Sequence, residues 1–143
     1  MKKVLFRCNA SRAIGFGHLV RCLALAYAFK KRNCQITFAV NKNLKAIKLI
    51  QKEQYSIIKK DEKNCKQWLI EAVEKSQADI LVLDIRDGLD KETLIEIKQK
   101  FNIKIVSIDD PQDKRLVCDY VFYPPVFQIR HLSWEGFKGK LYS

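Results

Sequence analysis

The feature that most constrains this chain is a regular alternation of short apolar runs with helical patterns. Residues 4–8 have the composition of a buried strand, and from His18 onward apolar residues recur every three or four positions, which is typical of a helix with one buried face. The alternation predicts further strands over 35–40, 55–58, 79–85, 104–108 and 119–123, and further helices around 44–50, 68–73 and 94–101. It therefore predicts an α/β, Rossmann-like fold with a parallel sheet flanked by helices on both faces.

The chain has 143 residues, which is the usual size of one domain with a single core. Residues 1–125 are predicted to form this domain, because no linker interrupts the alternation before the two prolines at 124–125. Residues 126–143 contain His131, Trp134 and two glycines but show no further regular element. We interpret this segment as the start of a crossover towards an absent second domain.

Composition excludes several classes of protein. Apolar runs such as 80–83 are far shorter than the roughly 18 residues of a membrane span, and Arg7, Asn9, Ser11 and Arg12 interrupt any signal peptide. The five cysteines are an odd number without a Cys-x-x-Cys pair, which indicates reduced thiols and a cytoplasmic protein. Cysteine and histidine do not cluster at ligand spacing, so no metal site is predicted.

Charge is concentrated in the first part of the chain. Residues 1–60 carry 14 lysines and arginines and only one acid, Glu53, and the whole chain has a net charge of +11. Such a segment can attract phosphate or an anionic membrane surface, or it can simply form solvated helix faces. Few aromatic residues are interleaved and no nucleic-acid motif is present, so no nucleic-acid partner is predicted.

Polar clusters follow three of the predicted strands, at residues 9–18, 84–87 and 109–110. Ligands of open parallel sheets bind in the crevice beyond the carboxyl ends of the strands. The pattern alone therefore predicts that the functional site lies where these three clusters meet.

The loop at residues 7–18 joins the first strand to the first helix. Gly15 and Gly17 permit backbone angles and close approaches that a side chain would forbid. The helix amino terminus suits a phosphate or an oxyanion, and it disfavours imidazolium at His18, which favours a neutral general base that activates water. A structural histidine is the alternative. No ribose-binding acid ends the second strand, so neither NAD nor another cofactor is predicted.

The stretch Arg7 to Ala26 has the pattern Arg-x-Asn-x-Ser-x-x-Ile-Gly-x-Gly-His-x-x-Arg-Cys-Leu-x-Leu-Ala. It resembles the amino-terminal signature of the UDP-2,4-diacetamido-2,4,6-trideoxy-β-L-altropyranose hydrolases of pseudaminic acid synthesis, which are related to the spore-coat polysaccharide protein SpsG. Segments 80–84 and 105–110 match the same family in order and spacing. The resemblance covers nearly the whole chain.

The resemblance implies the amino-terminal half of a glycosyltransferase-B-like (MurG-like) fold, with the active site between two α/β domains. It implies metal-free hydrolysis that removes UDP from the anomeric carbon of the sugar, with His18 helping to activate the water. It also implies that the missing carboxy-terminal domain, from the same gene or a neighbouring frame, binds most of the UDP. This chain alone is then expected to be nearly inactive.

Several residues are predicted to contact the UDP-sugar, each with an alternative. Ser11 and Arg12 can contact substrate or belong to a solvated loop, and Asp84 can contact sugar hydroxyls or cap a helix. Arg21 can orient the loop, bind phosphate or form a surface ion pair. Asn9 stands where the family usually has Asp, so it lacks the charge that could orient His18 or Arg7. The predicted substrate-binding set is Arg7, Asn9, Ser11, Arg12, Gly15, Gly17, Arg21, Asp84, Asp109 and Asp110.

Two other functions remain open from the sequence. A glycosyltransferase of the MurG group also carries Gly-x-Gly-His at this place, and the basic first half would suit docking on an anionic membrane without insertion. A binding module without catalysis is the other alternative, and Asn9 and the short length favour it.

Overall fold

A computed structural model describes residues 1–60, 64–85, 88–124 and 131–143 of the chain. Helices and strands alternate along it as the sequence predicts. The strands are β1 (Lys3–Cys8), β2 (Gln35–Val40), β3 (Ser56–Lys59), β4 (Ile80–Asp84), β5 (Lys104–Ile108), β6 (Tyr120–Phe122) and β7 (Lys140–Tyr142). The helices are α1 (Gly17–Lys31), α2 (Leu44–Lys52), α3 (Cys65–Ser76) and α4 (Lys91–Lys100), with a 3-10 helix at Asp113–Val117.

Within the described residues, seven strands form one sheet in the order β3-β2-β1-β4-β5-β6-β7, and every neighbouring pair is parallel. Val4 of β1 lies opposite Ile36 on one side and Ile80 on the other, so β1 and β4 are direct neighbours. The chain winds outward from β1 in one direction and then outward from β4 in the other. This confirms the predicted α/β, Rossmann-like fold and places the reversal of strand order between β1 and β4.

Alternating side chains of each strand pack into two separate cores. In β1, Val4, Phe6 and Cys8 pack beneath α1 and α2, whereas Leu5 packs on the opposite face with α3 and α4. Both sets are fully buried. Strands covered on both faces read as continuous apolar runs, which is why β1 and β4 were recognisable in the sequence.

Side-chain caps begin three of the four α-helices found in the described residues. The oxygens of Asn43, Asn64 and Asp90 accept backbone N–H bonds at the starts of α2, α3 and α4. At α1 the preceding residue is Phe16, which makes no such bond, and no acid lies in the first turn. The amino terminus of α1 therefore has neither a capping side chain nor an acid in its own first turn to offset its partial positive charge.

None of the helices in the described part of the chain is both long and apolar enough to cross a bilayer.

The end of the chain differs from the expectation that no further element follows β6. Residues 125–130 lie outside the described part, but β7 joins the edge of the sheet, and Trp134 and Phe137 pack against the core on the α3 side. Arg115 lies over the ring of Trp134 at 4.7 Å. A three-residue strand with exposed side chains carries no apolar periodicity, so its sequence gives no signal. The assignment of 126–143 to a crossover stays a prediction.

Gly139 is required for β7 to reach the sheet. A Cβ atom at this position would lie 2.5 Å from the carbonyl oxygen of Cys118 and 2.6 Å from that of Asp119. We expect Gly139→Ala to lower the free energy of unfolding by about 1–3 kcal/mol, as overpacking does, and to speed exchange of the Tyr123 amide, which donates to Tyr142. Urea denaturation and hydrogen exchange measure both effects. Lys138→Ala, at an exposed neighbour, is the control, and an equal effect of the two changes would contradict this role.

Candidate functional site

The site lies where the strand order reverses. The carboxyl ends of β1 and β4 are adjacent, with Cys8 in register with Asp84. The loop that follows β1 leads directly into α1, so the topology brings the start of α1 next to the end of β4. The crevice at such a reversal is the usual binding place in open parallel sheets.

A buried carboxylate organises this point. Asp84 is 1% exposed, and its Oδ1 lies 2.7 Å from Nδ1 of His18. Arg21 binds the same carboxylate with two nitrogens, Nε at 2.7 Å from Oδ2 and Nη2 at 2.6 Å from Oδ1. The thiol of Cys22 approaches Oδ2 at 3.8 Å. Both oxygens of Asp84 are thus bound by side chains of α1, and the carboxylate holds His18 and Arg21 in place.

The contact with Asp84 determines which nitrogen of His18 can act as a base. An ionised carboxylate only accepts hydrogen bonds, so the 2.7 Å contact with Oδ1 assigns the proton to Nδ1 of His18, and the contact of Nδ1 with Nη2 of Arg21 is longer, at 3.4 Å. In the neutral ring the lone pair is then on Nε2, on the opposite side of the imidazole. Nε2 makes no hydrogen bond to any described residue, and the side chain is 28% exposed. His18 can thus accept a proton from a molecule in the crevice.

Arg21 balances the charge of buried Asp84, and the rest of the Arg21 side chain is partly exposed at the surface. Its side chain is 37% exposed, so the ion pair is shielded on the side of Asp84 and open on the other. The hydrogen bonds with Asp84 raise the pKa of Arg21 above its ordinary value, and the charge of Asp109 adds to this effect. The sequence placed Arg21 on the His18 face of α1, and the structure shows that its partner is Asp84.

The loop before α1 is closed by its own backbone. Ser11 and Gly15 exchange two backbone hydrogen bonds, and the Ser11 hydroxyl accepts from the amide of Ile14 at 3.2 Å. Gly15 has a φ of +80°, which explains the glycine. Space for a Cβ is open at Gly17, so the absence of a side chain leaves room at the start of α1. Arg12 is exposed and makes no hydrogen bond or ion pair with the described residues.

Arg7 and Asn9 lie differently from the expectation of substrate contact. Arg7 points to the α3 face of the sheet, where it is buried over the ring of Trp68. Its Nη1 donates to the carbonyl of Cys8 and to Oδ1 of Asn9, both at 2.7 Å. Burial lowers the pKa of Arg7 to about 10. Arg7 and Asn9 therefore support the end of β1 from the α3 face of the sheet. Side chains alternate along the strand, so Arg7 points away from His18.

Asn41, at the end of β2, is a loop support that the sequence analysis missed. Its Oδ1 accepts from the amide of Ala10 at 2.9 Å, and its Nδ2 donates to the carbonyl of Ala10 at 2.7 Å. The only available signal was a polar residue directly after a predicted strand, the same signal that marked the other clusters.

Asp109 and Asp110 separate in the structure. Asp109 adopts a φ of +50° and remains close enough to Arg21 to influence it. Asp110 is fully buried, where it pairs with Lys114 at 2.5 Å and accepts from the amide of Gln112. Burial raises the pKa of Asp110, and the bond with Lys114 opposes that shift. Asp110 thus anchors the 3-10 helix, and its predicted contact with substrate is not what this geometry favours.

Of the cluster at 84–87, residues 86–87 lie outside the described part of the chain. Among the described residues, no group of three or more His, Cys, Asp or Glu side chains could hold a metal ion.

Comparison with known proteins identifies one relative in sequence. Over 102 residues the chain is 31% identical to the spore coat polysaccharide biosynthesis protein SpsG of Bacillus subtilis (strain 168). The matched segment is 71% of this chain but 29% of SpsG, so the chain spans less than a third of that relative. The two proteins are distant homologues. No family model matches the chain.

Two solved structures share the fold at low sequence identity. MurG of Acinetobacter baumannii superimposes with a TM-score of 0.66 and 14% identity, over 89% of this chain and 43% of MurG. dTDP-glucose 4,6-dehydratase of Bacillus anthracis str. Ames, solved in complex with NAD, superimposes with a TM-score of 0.54 and 16% identity, over 78% of this chain and 38% of the dehydratase. Both superpositions establish the Rossmann-like architecture of this chain. The superposition on MurG also shows that the chain shares the MurG-like fold.

The tautomer of His18 can be tested without any substrate. For the neutral ring of His18, we expect the ¹⁵N spectrum to show the proton on Nδ1, because the Nδ1–H group donates a hydrogen bond to Asp84. Asp84→Asn should mix the two tautomers, since an amide can either donate or accept. His131, the only other histidine, is exposed and serves as the internal reference. A neutral His18 protonated on Nε2 would contradict the arrangement.

Asn9→Asp tests the brace behind β1. A carboxylate 2.7 Å from Nη1 would give buried Arg7 a charged partner, and we expect about 1 kcal/mol of added stability at neutral pH. Arg7 would lower the pKa of the new carboxyl in the folded state, so the gain is present above about pH 4 and disappears as the pH falls.

Urea denaturation across this pH range measures the gain. Asn41→Asp is the matched control and should destabilise, because a carboxylate cannot donate to the carbonyl of Ala10. Loss of stability with Asn9→Asp at neutral pH would refute the proposed brace.

Proposed function

We propose that this chain is the part of a nucleotide-sugar hydrolase that carries the catalytic base, and that His18 activates the attacking water. The observation that carries the proposal is the ring of His18, held through Nδ1 by buried Asp84, with Nε2 facing away from that carboxylate and free of described protein partners. A general base needs this combination of fixed orientation and an available lone pair.

The proposed reaction removes UDP from the anomeric carbon of the sugar. Water attacks that carbon while its proton passes to Nε2 of His18, and the bond from carbon to the diphosphate oxygen breaks. UDP leaves with the electron pair of that bond. Asp84 stabilises the imidazolium that forms, because its carboxylate accepts the hydrogen bond of the Nδ1–H group and is also bound by Arg21.

The surroundings of His18 suit a phosphorylated substrate. The amino terminus of α1 has no capping side chain, and open space lies beside Gly17. Arg12 projects from the loop without a hydrogen bond or ion pair to the described residues. These groups together can stabilise the negative charge of a diphosphate, as helix amino termini commonly do.

The sequence relative supports a role in building a surface polysaccharide. SpsG is named for spore coat polysaccharide biosynthesis, and MurG shares the fold. The match covers 29% of SpsG, so the proposal includes a second domain that binds most of the UDP. The sugar proposed from the family resemblance is 2,4-diacetamido-2,4,6-trideoxy-β-L-altropyranose. The chain alone should then show almost no turnover.

The decisive experiment measures UDP release from this UDP-sugar. The chain is assayed alone and combined with a second domain produced from the continued or neighbouring reading frame. A hydrolase releases UDP with water as the only acceptor, whereas a MurG-type glycosyltransferase releases it only after an acceptor sugar is added. A binding module would retain the UDP-sugar without releasing UDP in either condition.

In the complete hydrolase, we expect His18→Ala to lower the turnover number by about 10²–10⁴-fold, the usual contribution of a general base. The Michaelis constant should change little, because the ring acts on water rather than on the nucleotide. His131→Ala is the matched control and should retain full turnover. UDP release at the normal rate by the His18→Ala enzyme would disprove the assigned role.

A further inference from the structure

The buried guanidinium of Arg7 carries a charge that no acid among the described residues balances with an ion pair. Arg7 is 5% exposed, and burial lowers its pKa to about 10, so the side chain remains charged at neutral pH. Its hydrogen-bond acceptors are the carbonyls of Cys8 and Ala39 and the amide oxygen of Asn9. These acceptors are dipoles without net charge. They replace only part of the solvation that a buried ion loses, so the charge of Arg7 favours a counter-ion.

One edge of the guanidinium is available for such a counter-ion. All three acceptors are bound by a single nitrogen of Arg7, Nη1. The edge formed by Nε and Nη2 makes no hydrogen bond to any described residue, and neither atom is among the fully enclosed polar atoms that lack a partner, so this edge is in contact with solvent. In Arg21 the same two nitrogens bind the two oxygens of Asp84, at 2.7 and 2.6 Å. The Nε–Nη2 edge is therefore the fork that matches two oxygens of an oxyanion.

The start of α3 adds positive potential beside Arg7. The guanidinium lies over the ring of Trp68, with its central carbon 5.0 Å from the ring centroid. Helix α3 begins at Cys65, which is close enough to influence the pKa of Arg7, and its first turn contains no acid. The cap of the helix is the neutral side chain of Asn64. The partial positive charge at the helix start therefore reinforces the charge of Arg7, and both favour a doubly charged anion over a singly charged one.

We propose that the Nε–Nη2 edge of Arg7 binds a free phosphate ion on the α3 side of β1. Two oxygens of the phosphate accept from the two nitrogens, and its charge balances Arg7. The low exposure of Arg7 favours a compact ion over a phosphate ester. The site is separate from the crevice beside His18, because Arg7 points to the opposite face of the sheet. Arg7 also holds Asn9 and the carbonyl of Cys8, so the bound ion stabilises the start of the loop that carries His18.

The test follows the Nε–H signal of Arg7 in ¹⁵N spectra of the chain during titration with sodium phosphate at constant ionic strength. We expect a saturable shift with a dissociation constant of about 1–10 mM, the order expected for two charge-assisted hydrogen bonds to one side chain. Sodium acetate and sodium chloride should bind at least about tenfold more weakly, because acetate carries a single charge and chloride offers no pair of oxygens to the fork. Glycerol phosphate should also bind more weakly, since it is larger.

Three variants separate the fork from charge alone. Asn9→Asp places a carboxylate against Nη1 and balances Arg7 within the protein, so it should weaken phosphate binding by about tenfold or more. Arg7→Lys keeps the charge but removes the fork, and it should weaken binding by a similar factor. Arg32→Lys makes the same change at the exposed end of α1 and should leave binding unchanged. Asn9→Asp alone decides the outcome if Arg7→Lys does not fold.

Several results would overturn the proposal. A phosphate-dependent shift at Gly17 without one at Arg7 would place the ion at the start of α1 instead. Equal affinity for phosphate and acetate, a shift of Arg7 that does not saturate, or binding unchanged by Asn9→Asp would equally overturn it. None of these measurements involves UDP release, so their outcome is independent of the role of His18.

Discussion

The site depends on the burial of one carboxylate. Removing an ion from water costs several kcal/mol unless charge and hydrogen bonds replace the lost solvation, and Asp84 is 1% exposed. Arg21 supplies the charge with two hydrogen bonds, and His18 supplies a third. These bonds can form only where the end of β4 lies beside the start of α1. Because buried Asp84 needs these hydrogen bonds, it fixes the orientation of His18 and Arg21.

Hydrogen bonds within the protein hold the rest of the loop in place. Asn41 binds both backbone groups of Ala10, Ser11 and Gly15 close the turn, and Arg7 braces Asn9 from the opposite face of the sheet. A loop supported in this way can bind a ligand with little loss of conformational freedom. Preorganisation of this kind is what a proton transfer at a fixed distance requires.

Helices cover the two faces of the sheet to different extents. Helices α3 and α4 bury one face, whereas residues 1–60, 64–85, 88–124 and 131–143 leave the β4-β5-β6 part of the other face apolar and open beside α1. Arg21 connects this open surface with the candidate site, since it binds Asp84 and also lines the open part of the sheet.

The sequence alone determined the α/β class, most strand and helix bounds to within one or two residues, and the place of His18 in the loop after β1, because buried strands and one-faced helices impose local apolar patterns. It could not reveal β7, because the three exposed residues of that strand have no apolar pattern. It also gave no sign that Arg7 faces α3 or that Asp110 forms a buried ion pair with Lys114. Only the tertiary structure decided that Asp84 is the partner of His18. Sixty-six positions separate these two residues in the chain, and they meet because β4 pairs with β1, which is a long-range contact that no local periodicity records.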